Sequence, residues 1–479
     1  MTGSKRCWFW IALGTMLVLA LVLRVVDSTG ELWLDELWSL MLVTPLRSAI
    51  QVFTQVHHEN NNYLISLWMW ICGTDRDWWV YRVPSILAGW GAALVAIRIG
   101  LRKSRATAFI AAQLVSLSYL AVFYSSEARG YAIAGCMALV GYDCMEVYLQ
   151  DRTWQNAAGY GLAVVIGMMG HLTYLSAAVA LGVWSMMVML WRERTWRSAL
   201  QFVFLHAAPV ALLGVLWLVD VRKLRVGGGI KIGLWPVLRE TISYAFGLHA
   251  NFRLAGVLVV GVFAFIACHI AGMARRGDMR WTFFATGIIV APAALLVWTG
   301  RVYLYPRYFL VNVYLLYLLA AQVIGNAWDR HGVRTRWLIG SLLAAWTLGS
   351  LLLSVQLWQV GRGHYKDALE YIATNTRGRR AQIGSLQDFR SELLVGYYAK
   401  YLPVVQRPEL LSASSVAQFR PEWLLSAISP YATRTLPERI VIAPGLAYVL
   451  VKQFPSARLS GFAAGVYRLA NASGDRIHY

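Results

Sequence analysis

The sequence predicts a polytopic α-helical membrane protein that carries a small α/β domain at its C-terminal end. Three observations lead to this fold class: an apolar composition, apolar runs of membrane-spanning length, and basic clusters that fall on one face of the membrane. Apolar residues make up 58% of the 479 residues, and charged residues only 14%. A soluble core of this chain length cannot bury that much apolar surface, so lipid is the expected solvent.

Runs of mostly apolar residues recur through the first three quarters of the chain. At a rise of about 1.5 Å per residue, each run crosses or nearly crosses a hydrocarbon layer of about 30 Å. About eleven spans are predicted, at 8–26, 80–100, 106–124, 130–149, 156–174, 175–191, 199–219, 254–274, 281–300, 308–327 and 337–358. The run 62–72 is too short to cross, so we expect an interfacial helix there.

Basic residues between the predicted spans test this count. When the spans alternate sides from a cytoplasmic N-terminus, every tight basic cluster falls in a cytoplasmic segment. These clusters are Lys5 with Arg6, then 98–105, Arg152, 192–197, 275–280 and 330–336. No convincing small-residue cleavage site follows the first span, so we interpret this span as a signal anchor.

The chain changes character from about residue 360. Helix-like stretches at 364–375, 388–401, 421–428 and 446–453 alternate with short β-rich runs at 381–385, 439–443 and 465–469. This alternation predicts a small α/β domain. We therefore divide the chain into a transmembrane domain, 1–359, and a domain at 360–479 that an odd number of spans places outside the cytoplasm. The first outer segment, 27–79, is expected to carry interfacial helices.

The formal net charge is +20, and most of it is explained by basic residues that set the membrane topology or contact lipid headgroups. Nucleic acid is therefore not a predicted partner. One basic stretch lies instead in the outer loop 220–253, with Arg222, Lys223, Arg225, Lys231, Arg239 and Arg253. Two interpretations stay open for this loop. It contacts anionic headgroups, or it is a flexible, phosphate-attracting flap over a site.

An acidic pair soon after the first span is the first candidate site. The stretch ELWLDELWSL interleaves Glu31, Asp35 and Glu36 with leucines and tryptophans. The spacing of four residues places Glu31 and Asp35 on one helical side, and tryptophans suit the membrane interface. We expect an amphipathic helix that holds Asp35 and Glu36 at headgroup height.

Other outer segments place further polar residues on the same face. They are Glu59 and Asn60 in HHENNN, then Glu127, Arg129 and Tyr131 in YSSEARGY, then Arg307 and Tyr308 in YPRYFL, with His171 and Tyr174 at the end of the fifth span. Interfacial anchoring explains each of them alone, a local ion pair explains Glu127 with Arg129, and packing explains His171. Several loops nevertheless deliver such residues to one side at one depth, and this concurrence indicates a site.

This set of residues suits glycosyl transfer from a lipid-phosphate sugar. A carboxylate, Asp35 or Glu36, would take the proton of an acceptor hydroxyl as that hydroxyl attacks the anomeric carbon. Cationic groups, namely Arg129, Arg307 or the basic loop, would stabilise the departing phosphate. A polyprenyl donor would keep its tail in lipid and its sugar in water.

The order of LDELWS, YLISLWMWICG, YRVPSILAG, FYSSEARGYA and YPRYFL resembles bacterial GT-C glycosyltransferases, such as the protein O-mannosyltransferases and the lipid A aminoarabinose transferase. The resemblance covers roughly residues 8–330, with a weaker echo in GHYKDALEYIATNT. It implies a polyprenyl-phosphate sugar donor, an inverting single displacement on the extracytoplasmic face, and a place in the bacterial inner membrane. Asp35 matches the acidic residue that usually has the role of catalytic base in this family, and Glu36 matches its neighbour. Glu127 and Arg129 match the acidic-basic pattern of the second outer loop. Arg307 matches the family's late outer arginine.

The chain departs from this pattern before the short helix. Many relatives carry His-Pro-Pro there, whereas this chain has Glu59 followed by three asparagines. The donor-sugar contacts at this point therefore stay open. No cofactor is predicted, although the metal question is left open: His57, His58 and Glu59 are of types that bind divalent cations, yet adjacent histidines on one loop rarely form a site alone.

Two other function classes stay open beside the enzyme. A lipid or lipid-linked-sugar transporter would place ionisable groups or broken helices near the bilayer midplane, whereas the polar groups here gather at one face. A catalytically inactive lipid-binding or scaffold protein would tolerate the loss of Asp35. For an enzyme, the acceptor is a glycan, a lipid or a protein.

Overall fold

A computed structural model of the chain describes residues 3–225, 227, 229–298, 303–376, 380–432 and 435–470. The chain divides into two units. The membrane unit comprises Met1–Ser28 and Leu42–Val355, and the C-terminal unit comprises Thr29–Met41 together with Gln356–Tyr479. The stretch that carries Asp35 therefore belongs to the C-terminal unit, although it follows the first apolar helix directly in sequence.

Helices dominate the described residues. In chain order they are α1 (Gly3–Asp27), α2 (Leu34–Val43), α3 (Gln51–Thr54), α4 (Tyr63–Cys72), α5 (Trp78–Leu101), α6 (Arg105–Leu117), α7 (Tyr119–Ser125), α8 (Tyr131–Asp151), α9 (Trp154–Gly170), α10 (Leu175–Met186), α11 (Trp196–Val219), α12 (Leu234–Ala245), α13 (Ala255–Arg275), α14 (Arg280–Ala285), α15 (Ala291–Trp298), α16 (Leu310–Arg330), α17 (Val333–Val360), α18 (Tyr365–Asn375), α19 (Asp388–Tyr398) and α20 (Val416–Phe419). A π-helical turn, Met187–Glu193, extends α10, and another, Thr286–Val290, joins α14 to α15.

Long apolar helices account for the predicted spans. Among the described residues, nine helical stretches are long and apolar enough to cross a membrane, and the bent pair α6–α7 is a tenth when counted as one span. The predicted span 156–174 corresponds to α9, whose 17 residues end at Gly170. The run 62–72 forms α4, which at 10 residues is shorter than a span. The prediction of a polytopic α-helical membrane protein is confirmed.

The bend between α6 and α7 packs against the first helix. The two helices meet at an angle of 54°. Because α6 ends at Leu117, the carbonyls of its last turn do not accept hydrogen bonds from within the helix. Arg24 of α1 is fully buried and donates to the carbonyls of Ser116 at 2.9 Å and Val115 at 3.1 Å. Because an unpaired backbone carbonyl is costly in lipid, this guanidinium stabilises the bend.

Basic residues from two loops meet a carboxylate of α8 at one end of the helical bundle. Glu146 accepts from Arg102 at 2.8 Å and from Lys103 at 3.0 Å. Arg280, which begins α14, approaches the same carboxylate at 3.3 Å. Two of the basic clusters that the sequence analysis assigned to one face therefore lie together.

A six-stranded mixed sheet forms the core of the C-terminal unit. Its strands are β1 (Gln382–Ser385), β2 (Glu409–Leu411), β3 (Trp423–Ile428), β4 (Arg439–Ala443), β5 (Leu446–Phe454) and β6 (Ala463–Leu469), in the spatial order β2-β1-β3-β6-β5-β4. β1 runs parallel to β2 and β3, and the remaining pairs are antiparallel. Leu424, Tyr448 and Tyr467, from three adjacent strands, pack into one apolar cluster. The prediction of a small α/β domain is confirmed.

Two of the stretches predicted as helices are strands. The stretches 421–428 and 446–453 correspond to β3 and β5, so these two predictions are wrong. Tyr467 of the central strand β6 pairs with Leu424 of β3 on one side and with Leu450 of β5 on the other. The leucine and alanine content of β3 and β5 favours helix, but their pairing with β6 in the sheet outweighs this local preference.

The Asp35 segment is bonded to the rest of the C-terminal unit through residues just before α2. The Glu31 carboxylate accepts the backbone N–H of Tyr365 at 2.6 Å and that of Lys366 at 3.2 Å, so it caps the first turn of α18. The Tyr398 hydroxyl donates to the Leu32 carbonyl at 2.7 Å. These bonds join residues that are 334 and 366 positions apart in sequence.

We expect Arg24→Met to lower the free energy of unfolding of the membrane unit by about 2–4 kcal/mol, because two carbonyls at the bend would lose a charged donor inside an apolar bundle. The midpoint of thermal unfolding in detergent measures this change. Arg276→Met removes an exposed guanidinium and is the matched control, with little expected effect. An Arg24→Met protein as stable as the wild type would contradict the role of Arg24 at the bend.

A second prediction concerns the pH dependence of stability. Burial raises the pKa of the Glu31 carboxyl to about 7, although the two amides that it caps act in the opposite direction. A folded-state pKa above the unfolded-state value of about 4.3 means that this carboxyl contributes stability at low pH, and that the contribution is lost as pH rises through about 7. We expect the wild type to lose thermal stability relative to Glu31→Gln between about pH 5 and about pH 8.

The matched control for this measurement is Glu409→Gln, which changes an exposed carboxylate of the same unit. The difference in thermal stability between Glu409→Gln and the wild type should not change with pH over that range. A flat difference for Glu31→Gln as well would show that Glu31 does not titrate there.

Candidate functional site

Asp35 and Glu36 lie side by side in the first turn of α2 but have different surroundings. Glu36 is fully buried, and its carboxylate accepts the backbone N–H of Trp33 at 3.1 Å. Trp33 directly precedes the helix, so Glu36 reaches back from the third helical position as in a capping box. Asp35 keeps part of its surface exposed. Glu36 thus has a role in starting the helix, and Asp35 is the acid of the pair with accessible surface.

A tyrosine of the C-terminal unit lies near Asp35, and an arginine of the same unit lies near that tyrosine. Asp35, Glu31 and Arg390 all act electrostatically on the Tyr365 phenol. The Tyr365 hydroxyl accepts the backbone N–H of Phe462 at 2.9 Å, and the Arg390 guanidinium lies 4.6 Å from the centre of the Phe462 ring. Sequence reasoning did not single out either residue, since Tyr365 lies in a stretch noted only for its resemblance and Arg390 carries no local signal.

A buried carboxylate of the membrane unit joins the end of α11 to the polar run before α4. Asp220 is 1% exposed, and one of its oxygens lies 2.5 Å from Nδ1 of His57. Its other oxygen accepts the hydroxyl of Tyr63. Burial and the neighbouring Asp220 raise the pKa of Tyr63 well above its ordinary value, so the phenol stays protonated as the donor. A lone acid at the end of an apolar run gave no sequence signal for this role.

The basic loop 220–253 is docked against the same polar run. The backbone N–H of Arg225 donates to the His57 carbonyl at 3.0 Å, and the Arg225 carbonyl accepts the N–H of Glu59 at 3.2 Å. The Glu59 carboxylate accepts the backbone N–H of Gly227 at 2.8 Å. Glu59, which the sequence analysis placed among the candidate site residues, therefore holds the described part of this loop in place.

The turn after α7 brings Arg129 to the polar run as well. The side-chain oxygen of Asn62 accepts the backbone N–H of Gly130 at 2.8 Å, and Nη1 of Arg129 lies 3.5 Å from the Asn60 carbonyl. A Cβ atom on Gly130 would lie 1.8 Å from the carbonyl oxygen of Gly170. Only glycine permits this approach, so Gly130 fixes the position of the turn that carries Arg129.

Two arginines and two tyrosines surround His171, the residue between α9 and the next helical turn. The Tyr131 ring lies 4.1 Å from the His171 ring and 6.4 Å from the Tyr308 ring. Arg129 lies over Tyr131 at 5.8 Å. Arg307 lies over Tyr308 at 5.5 Å. We call these five residues the arginine cluster.

The histidine of the arginine cluster is neutral, mainly because of burial. Burial lowers the pKa of His171 well below its usual range, and the charges of Arg129 and Arg307 add to this effect. Nδ1 of His171 accepts a backbone N–H two residues further on at 3.1 Å, so the neutral ring carries its proton on Nε2. Two guanidinium groups and one imidazole N–H, all donors, make this cluster suited to an anion.

The structure gathers most of the polar residues of the membrane unit that the sequence analysis selected. The arginine cluster and the adjoining polar run contain Glu59, Asn60, Arg129, Tyr131, Arg307 and Tyr308. Glu127, two residues before Arg129, is fully buried. Asp35 and Glu36 belong to the C-terminal unit.

The residues that raised the question of a metal have protein partners. His57 contacts Asp220, and Glu59 accepts an N–H of the basic loop. Among the residues that the structure describes, no three or more His, Cys, Asp or Glu side chains are grouped to hold a metal ion.

Solved structures of two kinds of membrane glycosyltransferase are similar to this chain. ArnT from Cupriavidus metallidurans in the apo state has a TM-score of 0.55 at 12% sequence identity, with 97% of this chain and 98% of that chain covered. The same enzyme bound to undecaprenyl phosphate has a TM-score of 0.52 at 13% identity, with 96% and 98% covered. The Archaeoglobus fulgidus oligosaccharyltransferase, in complex with Zn and sulfate, has a TM-score of 0.51 at 11% identity, with 87% and 68% covered.

By sequence, no protein-family model and no curated protein matches the chain. ArnT is a lipid A aminoarabinose transferase, and both it and the oligosaccharyltransferase are GT-C glycosyltransferases. The similarity extends over most of the chain, including the C-terminal unit, while sequence identity is low. The chain therefore has the GT-C fold.

Proposed function

We propose that this chain is a membrane glycosyltransferase that moves a sugar from a polyprenyl-phosphate donor to an acceptor hydroxyl, with inversion at the anomeric carbon. The observation that carries the proposal is the arginine cluster, in which Arg129 and Arg307 pack over two tyrosines next to His171. An anion-binding cluster of this kind, in a multi-pass membrane protein, suits a phosphate that is attached to a lipid. ArnT from Cupriavidus metallidurans, which has a similar fold, binds undecaprenyl phosphate.

The proposed reaction is a single displacement. The acceptor hydroxyl gives its proton to the Asp35 carboxylate as its oxygen forms a bond to the anomeric carbon. The bond between that carbon and the phosphate oxygen breaks, and its electron pair leaves with the polyprenyl phosphate. Attack opposite the departing phosphate inverts the anomeric configuration.

The arginine cluster is proposed to serve the departing phosphate. Negative charge on the phosphate grows as the glycosidic bond breaks, so fixed cations stabilise the transition state more than the bound donor. Arg129 is 3% exposed and close to the Asn60 carbonyl, and Gly130 fixes its turn, so this guanidinium is preorganised. The basic loop that Glu59 and His57 hold would add further positive charge nearby.

The proposed location is the bacterial inner membrane, with the C-terminal unit outside the cytoplasm. Basic clusters near Glu146 support this orientation, because positive residues flank the cytoplasmic ends of membrane spans. A polyprenyl donor with its sugar on the outer surface would then meet acceptors of the cell envelope.

Lipid translocation is the competing function. The break after α6 and the buried Arg24 are features that transporters also have. Arg24, however, donates to the carbonyls of Ala20, Val115 and Ser116, so backbone hydrogen bonding accounts for this charge. The buried cation therefore favours a structural role in the bundle over a transport path.

Asp35→Asn is expected to lower the rate of sugar transfer by about 10²–10⁴-fold, because the amide cannot accept the acceptor proton. The measurement is single-turnover release of polyprenyl phosphate from a synthetic polyprenyl-phosphate sugar by the purified protein with an acceptor extract. Glu36→Gln is the matched control: the amide oxygen still accepts the Trp33 N–H, so the rate should fall by less than about tenfold. Near-normal turnover by Asp35→Asn would refute Asp35 as the base.

Arg129→Gln and Arg307→Gln are expected to weaken binding of a polyprenyl phosphate by about 10–100-fold each, as loss of a charge-assisted hydrogen bond implies. The dissociation constant in detergent, measured for polyprenyl phosphate and for the uncharged polyprenol, separates phosphate from tail contributions. Arg276→Gln, on the exposed surface, is the control and should bind like the wild type. Unchanged phosphate affinity in both cluster variants would rule out this site.

A further inference from the structure

Asp35 is held at three points of its own segment. Glu31, four residues before it, caps α18 through the N–H groups of Tyr365 and Lys366. The carbonyl of Leu32 accepts the Tyr398 hydroxyl at 2.7 Å. These contacts come from α18 and α19, so the C-terminal part of the chain determines where α2 begins.

The third point lies beyond Asp35. The Trp38 ring meets the Phe389 ring of α19 edge to face, with centroids 4.5 Å apart. Contacts on both sides of Asp35 restrain its helical turn in position and in rotation. Leu34 and Leu37, which flank the pair Asp35–Glu36, are 5% and 0% exposed and add packing to this restraint.

Tyr398 is held firmly by its surroundings. It is fully buried, and its ring lies 5.8 Å from the Tyr365 ring and 5.1 Å from the Tyr397 ring. Its hydroxyl is therefore a rigid donor. Leu32 directly precedes Trp33, whose N–H closes the capping box with Glu36. A bond that fixes the Leu32 carbonyl thus fixes the start of the turn that carries Asp35.

The rate of proton transfer to a general base depends strongly on the position of that base. A general base must lie within about 2.6–3.2 Å of the oxygen whose proton it takes. A displacement of about 1 Å, even from a change far from the reacting atoms, is enough to cost about 10²-fold in rate. The loss appears in kcat when the donor still binds normally.

We propose that Tyr398 and Glu31 are positioning residues for Asp35, so that contacts within the C-terminal unit contribute to catalysis by holding the proposed base in place. This inference rests on the proposed function, in which Asp35 accepts the proton. It assigns a role in catalysis to two side chains that act through the backbone of residues 31–33.

The test compares two tyrosines of the same unit. Tyr398→Phe removes the hydroxyl that holds Leu32, and Tyr448→Phe removes a hydroxyl that donates to the Pro421 carbonyl at 2.9 Å. Both are fully buried and each loses one bond to a carbonyl, so the midpoints of thermal unfolding should fall by similar amounts. We expect Tyr398→Phe to lower kcat about tenfold or more with little change in the KM for the donor, and Tyr448→Phe to leave kcat within about twofold.

A double variant shows whether Tyr398 acts through Asp35. If it does, Tyr398→Phe has no further effect on the residual activity of Asp35→Asn, because the group that it positions is gone. An equal fractional loss in both backgrounds would overturn the proposal. A wild-type kcat for Tyr398→Phe would overturn it too.

Two outcomes are separated by design. Full activity of Asp35→Asn would refute the proposed base itself, whatever Tyr398→Phe does. An inactive Asp35→Asn with a fully active Tyr398→Phe would refute only the positioning role. Where Tyr398→Phe does not accumulate, Glu31→Ala replaces it, with the same expected loss in kcat and the same absence of effect in the Asp35→Asn background.

Discussion

The hydrogen bonds from Tyr365 and Lys366 to the Glu31 carboxylate are the interaction on which the candidate base depends. They join a segment just after the first membrane helix to the start of α18, 334 positions away for Tyr365. The carboxylate serves as an N-terminal cap, a place where negative charge is favoured by the helix dipole. Burial nevertheless raises the pKa of Glu31 to about 7, so the bond is formed against a desolvation cost. A buried acid of this kind makes the local fold sensitive to pH at the point where Asp35 is held.

Buried polar residues in the membrane unit fall into two groups with different physical roles. Side chains of the first group donate hydrogen bonds to backbone carbonyls at irregular points of helices. Arg24 donates to carbonyls at the α6–α7 bend, and Asn312 donates to the Gly287 carbonyl at 2.6 Å within a π-helical turn. Lipid offers these carbonyls no water, so such side chains are structural requirements. The arginine cluster differs, because its cations surround a neutral histidine and tyrosines rather than a helix break. That difference is why the cluster, and not Arg24, is assigned to a phosphate.

The sequence was sufficient for the architecture of the membrane unit because lipid imposes a strong local rule. Each spanning helix satisfies its own backbone hydrogen bonds, so apolar runs of the right length mark it independently of the other helices. The same rule identified α4 as too short to cross. Turns at the ends of spans are similarly local, so the sequence alone points to Arg129, Tyr131, Arg307 and Tyr308.

The remaining features depend on partners that are distant in sequence. The sequence predicts helices at β3 and β5 because their neighbours in the sheet, such as β6, are not visible in a local window. Asp220 reaches Tyr63 across 157 positions, and Tyr398 reaches Leu32 across 366, with no periodicity that marks either. The different roles of Asp35 and Glu36 follow from burial and from the bond between Trp33 and Glu36, and neither is visible in two adjacent acidic letters.

The most direct test of the account follows the fate of a labelled donor in proteoliposomes that contain only this protein. A polyprenyl-phosphate sugar is incorporated with label in both the sugar and the lipid, and an acceptor extract is added on one side. For a glycosyltransferase, we expect free polyprenyl phosphate to accumulate and labelled sugar to appear on the acceptor, both only when acceptor is present. Movement of intact donor between leaflets, with no release of polyprenyl phosphate, would contradict it and identify a lipid transporter instead.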